Sequence, residues 1–319
     1  MTSRAFGYGL LDPSRNFRTP EMPAEKLDIV VGIATSGRRE VLARNIAALA
    51  DQTRLPDRLV ICPVKEADVD EQSLKDFPRP SLVVRGPVGL PAQRNKILSA
   101  ITNADIIVFF DDDFFPGPRY IENLASIFTA HPDVVAVTGA LIADGARGPG
   151  LTVEEGLQLI HSDAESLGAA GELAEQYGTY GCNMAFRLKP VIDHGILFDE
   201  NLPLYGWQED IDFSLRVRPY GRIVNSAALR GVHLGIKLGR TSGVRFGYSQ
   251  IANPVYLIRK GSMSWRHANK LMWRNIAANV ARSFFPEPWV DRKGRLKGNV
   301  LALMDIIRGR SSPGRILQL

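Results

Sequence analysis

The sequence predicts an α/β protein: a mainly parallel sheet flanked by helices, followed by a helical C-terminal extension. Three observations carry that expectation. Strand-length apolar runs alternate with helix-spaced segments over the first third of the chain, the pattern of βαβ units. One run, Ile106-Ile107-Val108-Phe109-Phe110, passes directly into Asp111-Asp112-Asp113, so a strand fit for burial on both faces ends in three carboxylates. From Lys237 onward the strand pattern stops and the charge turns basic. That stretch holds 16 of the 39 Lys and Arg but only 3 of the 34 Asp and Glu.

Residues 1–26, with three prolines and several arginines, form an irregular lead-in. Asp28 to Thr35 is the first strand, Ser36-Gly37-Arg38-Arg39 its turn, and Val41 to Ala50 a helix by spacing. Arg58 to Val64 gives a second strand and Ser81 to Arg85 a short third. Gly86 to Pro91 is a loop, and Ala92 to Ala100 a helix leading to the strand before the aspartates. A helix over Tyr120 to Thr129 and a strand over Val134 to Gly139 follow. Residues 141–180, rich in Gly and Ala, predict a helix and a mobile segment; Tyr180 to Arg187 is a short strand. A helix begins at Asp210, with Ile211, Leu215 and Val217 as its apolar positions, and Gly221 to Ser226 is an edge strand. Trp265 to Phe285 and Leu296 to Ile307 are two further helices. The chain thus divides into a lead-in (1–26), an α/β domain (27–236) and a basic, amphipathic helical region (237–319).

Composition narrows the function classes. At 45% hydrophobic and 23% charged residues the chain is an ordinary folded protein. Its two cysteines, Cys62 and Cys182, exclude a disulfide framework or a cysteine-based zinc site and fit a reducing compartment. No signal peptide or 18-residue apolar span is evident, which predicts a cytoplasmic protein. Neither G-x-G-x-x-G after the first strand nor G-x-x-x-x-G-K-[ST] occurs, which disfavours a dinucleotide fold or a P-loop enzyme.

In open α/β sheets ligands bind outside the carboxyl ends of the strands, where the three aspartates fall. Three adjacent like charges call for a cation, and carboxylate oxygens suit Mg²⁺ or Mn²⁺, which also bridge diphosphate oxygens. A solvated acidic turn is the plainer alternative, and the buried strand ahead of it weighs against that. Thr35 at the end of the first strand and Arg94 beside the aspartates can hold a nucleotide. The second acidic pair, Glu209 and Asp210, opens a helix, where capping alone would also favour carboxylates. Trp207 before them offers a flat apolar face to a sugar or to the core. His233 fits either a ligand or a structural role.

Several segments recur together: the first strand through Thr35 and Arg38, Leu90-Pro91-Ala92-Gln93-Arg94-Asn95, the Asp111 triplet, Gly181 to Arg187, and Trp207-Gln208-Glu209-Asp210. In this order they make residues 27–235 resemble the family 2 glycosyltransferases, inverting nucleotide-sugar-dependent enzymes with the Rossmann-like GT-A fold. The resemblance implies roles. Thr35 would open the nucleotide pocket with Arg38, and Glu66 would approach the base or ribose, in a Lys65-Glu66 pair where the family usually has two acidic residues. Arg94 would lie beside the diphosphate. Asp111, Asp112 and Asp113 would form the D-x-D donor site, with Asp113 the direct metal ligand, Asp111 beside it and His233 a further ligand. Asp210 would be the catalytic base and Glu209 its partner or a hold on the acceptor, with Trp207 and Asn183 on the acceptor side. The implied donor is a UDP-sugar, and the implied acceptor is a saccharide, free or polyprenyl-linked, in bacterial polysaccharide assembly. A sugar nucleotidylyltransferase is the rival enzyme, for which Ser36-Gly37-Arg38-Arg39 is a poor phosphate loop. A non-catalytic nucleotide-binding or membrane-scaffold protein is the other.

In the extension, Trp265, Met272, Ile276, Val280 and Phe284 fall near one helical face, with Arg266, Lys270 and Arg274 towards the other. Such helices either pack on the catalytic body or dock on an anionic membrane, here the inner face of the plasma membrane. Nucleic acid fits less well, because the aromatics are not interleaved with the basic residues.

Overall fold

The computed structural model describes residues 26–101, 103–163, 173–237 and 242–319. The lead-in apart from Lys26, and residues 164–172 of the segment expected to be mobile, lie outside them. Strands β1 (Ile29–Thr35), β2 (Arg58–Pro63), β3 (Ser81–Val83) and β4 (Ile106–Asp111) form the parallel half of a nine-stranded sheet, in the order β3-β2-β1-β4. Beyond β4 the order continues β8-β6-β9-β5, with β8 (Asn183–Arg187) antiparallel to both its neighbours and β6 (Val134–Asp144) parallel to β9 (Arg222–His233). β5 (Phe114–Pro116) closes that edge against β9, which also pairs with β7 (Leu173–Glu175).

Alternation along the central strands explains the two cores. Ile29, Val31 and Ile33 of β1, with Ile106, Val108 and Phe110 of β4, face one side. They pack there on Leu42, Ile46 and Leu49 of α1 (Arg39–Ala50) and on Tyr120, Ile121 and Leu124 of α4 (Tyr120–Ala130). Val30, Ile107 and Phe109 face the other side, against Ile97 of α3 (Leu90–Ser99), Val191 of α6 (Leu188–Asp193) and Phe213 of α7 (Glu209–Val217). Each such side chain contributes about 1.5–3 kcal/mol by leaving water. Two further helices, α2 (Glu71–Asp76) and α5 (Val153–Asp163), lie between strands in the chain.

The last part of the chain is three helices, α8 (Gly243–Lys260), α9 (Trp265–Phe284) and α10 (Arg292–Ile307). Two G-x-x-x-G steps, Gly243/Gly247 and Gly294/Gly298, let α8 and α10 cross closely. A Cβ on Gly247 would strike the Arg295 carbonyl, and one on Gly298 the Val244 carbonyl. Beneath the crossing a buried amide cluster fixes register: Asn279 Nδ2 donates to Gln250 Oε1 (2.8 Å) and Asn299 Oδ1 (2.9 Å). α8 also ties the unit to α7 and the loop before it. Lys260 Nζ lies 2.6 Å from Asp199 Oδ2 and 2.9 Å from Asp212 Oδ2, both buried.

Several expectations change. The edge strand read at Gly221 to Ser226 is twelve residues long and internal, because bulges at Gly139/Ala140 and Leu141/Ala143 let β6 and β9 stay paired past a polar stretch. β5, α6 and α8 had no counterpart in the sequence reading. α8 is obscured there by Pro254 within it and by the buried polar residues Ser249, Gln250 and Asn253.

Candidate active site

The carboxyl ends of β1 and β4 lie side by side, Ala34 paired with Asp111, and this places Thr35 and Arg38 against the aspartate triplet. Thr35 Oγ1 donates to Asp112 Oδ2 (2.7 Å), and Arg38 Nη1 reaches Asp112 Oδ1 (2.7 Å) and Asp113 Oδ2 (3.3 Å). Both Asp112 oxygens are thus engaged within the protein. Burial nonetheless raises its carboxyl to about 6, against the pull of the Arg38 charge.

Asp111, Asp113 and His233 offer one ligand atom each, all within 4.8 Å of one another. β9 delivers His233: its register sets the residue against Phe114 of β5 and Asp144 of β6. Nε2 is 3.4 Å from Asp113 Oδ1 and 4.0 Å from Asp111 Oδ2, while Nδ1 is 3.0 Å from Asp144 Oδ1. Burial works to lower the imidazole pKa, but hydrogen bonds to Asp113 and Asp144 and the surrounding charges raise it to about 10. Burial likewise works to raise Asp113, and the His233 hydrogen bond, the His233 and Arg38 charges and the Ile236 N–H (2.8 Å) hold it near 2. Two carboxylates and an imidazole are a donor set that fits a divalent cation. Asp144 escaped the sequence reading; its only trace there is position, at the end of an apolar strand. A carboxylate on the far nitrogen of a ligating histidine fixes ring and tautomer.

Arg94 is 1% exposed, within a buried first part of α3. Its Nη1 pairs with Glu209 Oε1, and its Nη2 with Asp111 Oδ1 (3.0 Å) and the Gly181 carbonyl (2.7 Å). The guanidinium plane sits 5.6 Å from the Phe198 ring centre and 5.7 Å from that of Phe109. It links the two acidic clusters. Gln93 next to it, singled out only as part of a motif, donates Nε2 to the Thr35 (3.1 Å) and Cys62 (2.6 Å) carbonyls and so locks the ends of β1 and β2.

The second cluster is built on a strained approach. Leu204 (φ 60), Gly206 (φ 63) and Gln208 (φ 76) are all left-handed, and a side chain at Gly206 would meet Pro91 of α3 at 2.7 Å. The loop delivers Glu209, buried, and Asp210, partly exposed, to the start of α7. Asp210 Oδ2 accepts from Gly181 N (2.9 Å) and Oδ1 from Ile211 N (2.8 Å). Burial raises both carboxyls, Glu209 to about 8 despite the Arg94 charge. Glu209 Oε2 is buried without a hydrogen-bond partner. Trp207 is half-buried, edge-on to Phe246 of α8 (6.0 Å), and its carbonyl accepts from Asn253 Nδ2 (2.8 Å).

Two expected site residues are not part of these contacts. Asn183 is fully buried; its Oδ1 accepts from Thr138 Oγ1 (2.8 Å) and its Nδ2 donates to the Gly139 carbonyl (3.3 Å) inside the sheet. Glu66 is exposed and paired with Arg85. Cavity size does not mark the site either: a cavity of about 460 Å³ between α3 and α6 is lined by none of the clustered carboxylates.

A family model described as "Glycosyl transferase family 2" matches residues 30–195. A curated relative, the glucosyl-dolichyl phosphate glucuronosyltransferase of Haloferax volcanii, is 27% identical over 175 residues. The match covers 53% of this chain and 55% of that protein, so the chain spans about half the length of the curated relative. Among solved structures, S. aureus TarS 1-349 superposes with a TM-score of 0.54 at 16% identity, over 91% of this chain and 82% of that one. The longer TarS chain is covered to 44%, at a TM-score of 0.50. The mannosyltransferase PcManGT from Pyrobaculum calidifontis, in complex with GDP-Man and Mn²⁺, gives 0.53 at 16% identity, over 93% and 89% of the two chains. The fold is that of GT-A glycosyltransferases.

Proposed function

The chain belongs to glycosyl transferase family 2, and from that premise we propose that it moves a sugar from a nucleoside-diphosphate sugar to a saccharide hydroxyl with inversion. One observation carries the reading. A donor set of Asp111, Asp113 and His233 within 4.8 Å sits at the strand ends, and Arg94 joins it to the Glu209-Asp210 pair. Asp210 takes the proton of the acceptor hydroxyl as its oxygen attacks the anomeric carbon from the face opposite the diphosphate. The bond from that carbon to the diphosphate oxygen breaks, and the nucleoside diphosphate leaves. A divalent cation held by Asp111, Asp113 and His233 would supply positive charge to the departing oxygens. Arg38 and Arg94 keep the carboxylates in place, and Glu209, with one unpartnered oxygen at the start of α7, orients the acceptor. The imidazole ligand favours Mn²⁺ over Mg²⁺, which prefers all-oxygen shells.

We take the donor to be a UDP-sugar; TarS 1-349 has been solved with UDP-GlcNAc, whereas PcManGT holds GDP-Man, so GDP-sugars are the second choice. The Haloferax volcanii relative is named for glucosyl-dolichyl phosphate, which supports an acceptor on a polyprenyl phosphate; work at the inner face of the membrane in bacterial polysaccharide assembly is the setting we propose for it. Among the described residues no helix is long and apolar enough to cross a membrane. The test is release of nucleoside diphosphate from a panel of UDP- and GDP-sugars with Mn²⁺ or with EDTA. Mn²⁺-dependent release from one donor is expected; release unaffected by EDTA would remove the cation from the account.

A further inference from the structure

The sequence left the C-terminal helices with two readings, packing on the body or docking on a membrane. The structure gives each its own face. Met272 and Ile276 of α9 turn inward, packed against Tyr248, Ile251 and Ala252 of α8. On the outside of the same helix Trp265 (68% exposed), Trp273, Val280 and Phe284 (76%) remain uncovered. α10 repeats the arrangement: Ala302 and Asp305 are buried, while Val300, Leu303, Met304 and Ile307 (86%) are exposed. These four positions span about 100° of a helix at 3.6 residues per turn, the width of an apolar face. Exposed basic side chains accompany both stripes: Arg266, Lys270 and Arg274 beside that of α9, Lys297 and Arg308 beside that of α10, and Lys293 in line with it near the start of the helix.

The turn between the helices adds a second, independent feature. Phe284, Phe285 (87% exposed) and Trp289 all point to solvent there. The turn is braced, since Glu287 pairs with Arg282 and with Arg292 (2.9 Å), and Asp291 Oδ1 caps α10 through Gly294 N (2.7 Å). A rigid turn that holds three aromatics outward is built to wedge into something apolar.

We infer that the outward faces of α9 and α10, with the Phe284-Phe285-Trp289 turn as the inserted edge, dock on an anionic lipid bilayer. Charge decides the occupant: the stripes are apolar, six exposed basic side chains accompany them, and the only acidic residue within either helix, Asp305, is buried. Aromatic and aliphatic insertion together with exposed basic side chains is the combination by which helices lie in a membrane interface. The inference rests on the reading of a lipid-linked acceptor and extends it. α8 carries the docking unit and also grips the acceptor-side loop through Asn253, Lys260 and Phe246, so docking sets that loop at the surface where such an acceptor resides.

The experiment is co-sedimentation of the full chain with phosphatidylcholine vesicles, with and without phosphatidylglycerol, at low and high salt. Nucleotide binding is measured in parallel by titration with UDP and Mn²⁺. The wild type is expected to bind only the phosphatidylglycerol vesicles at low salt and to keep part of that binding at high salt. F284S/F285S and K293E/K297E change exposed residues alone, and each should weaken partition at least about tenfold, with melting temperature and UDP binding unchanged. Wild type that stays in the supernatant, or F284S/F285S that sediments like wild type, would overturn the docking. So would self-association of the wild type in solution that the same substitutions abolish, since a second copy would then be the occupant. Vesicle binding without any nucleotide binding would leave the docking standing and sink the transfer reading instead.

Discussion

At His233 the two ring nitrogens face different carboxylates, Asp144 on Nδ1 and Asp113 on Nε2. Their hydrogen bonds hold the imidazole proton in the metal-free protein to about 10, above the ordinary 6.5. A raised folded-state value means the folded chain keeps a proton the unfolded one has lost. The resulting stability is complete below 6.5 and disappears as pH rises through 10. Melting temperature in EDTA should therefore fall across that window, and His233→Asn should flatten the fall. Asp144→Ala should free the ring and cost about 10–100-fold in Mn²⁺ affinity, read by titration without any substrate. His233 was legible as a candidate from its type and place alone, whereas Asp144 was not, because its partnership spans 89 residues. Arg94 had the opposite fault. It was legible as a cation near the aspartates, yet nothing in a helix beginning Leu-Pro-Ala-Gln-Arg-Asn announces burial. Arg94→Ala strands Asp111 and Glu209 without their shared counter-charge, a loss of about 3–5 kcal/mol that chemical denaturation would register.

At the scale of elements, α8 decides how the C-terminal region may be treated. Cutting the chain at residue 260 looks harmless from the sequence, since the sheet pattern ends near residue 236. The structure shows Lys260 paired with Asp199 and with Asp212, which Arg216 also pairs, and these two carboxylates bracket the loop that leads into α7. Removing its charge leaves Asp212 with Arg216 and Asp199 with only the Tyr256 and Asn201 hydrogen bonds, so Lys260→Met should lower stability by about 1–3 kcal/mol. Lys260→Arg should recover part of that loss, and a fall in melting temperature without recovery would show that packing, not charge, is at stake. A truncation after residue 259 should aggregate for the same reason, because it also bares the face of α8 that α10 covers. The crossing itself is equally exacting: Gly298→Val cannot be accommodated against the Val244 carbonyl and should unfold the three-helix unit. Strands β1, β2 and β4 were legible because they are buried on both faces and so are apolar throughout. β9 was legible only as far as Ser226, with Arg230 and Gly231 beyond it, and α8 not at all, since it carries Gln250, Asn253 and Pro254. Gln250 pairs with Asn275 and Asn279, Asn253 Nδ2 with the Trp207 carbonyl and Arg230 with Asp163, tertiary partners that no local pattern announces.

Over the whole molecule, we propose that residues 27–236 act as the transfer unit and 237–319 as its docking unit, joined by α8. Within the first, the acidic surplus is divided: Asp111, Asp113 and His233 address the leaving group, Asp210 the acceptor, and Arg94 spans the two. Asp210→Asn keeps the side chain's shape and one of the two hydrogen bonds from Gly181 N and Ile211 N but removes the proton acceptor, so transfer should fall about 10²–10⁴-fold. The division of labour is tested most directly by isothermal titration of UDP into wild type, Asp113→Ala and Asp210→Asn, each with and without Mn²⁺. The account predicts Mn²⁺-dependent binding in the wild type and in Asp210→Asn, and its loss in Asp113→Ala. Equal Mn²⁺-dependent affinity in all three proteins would contradict it.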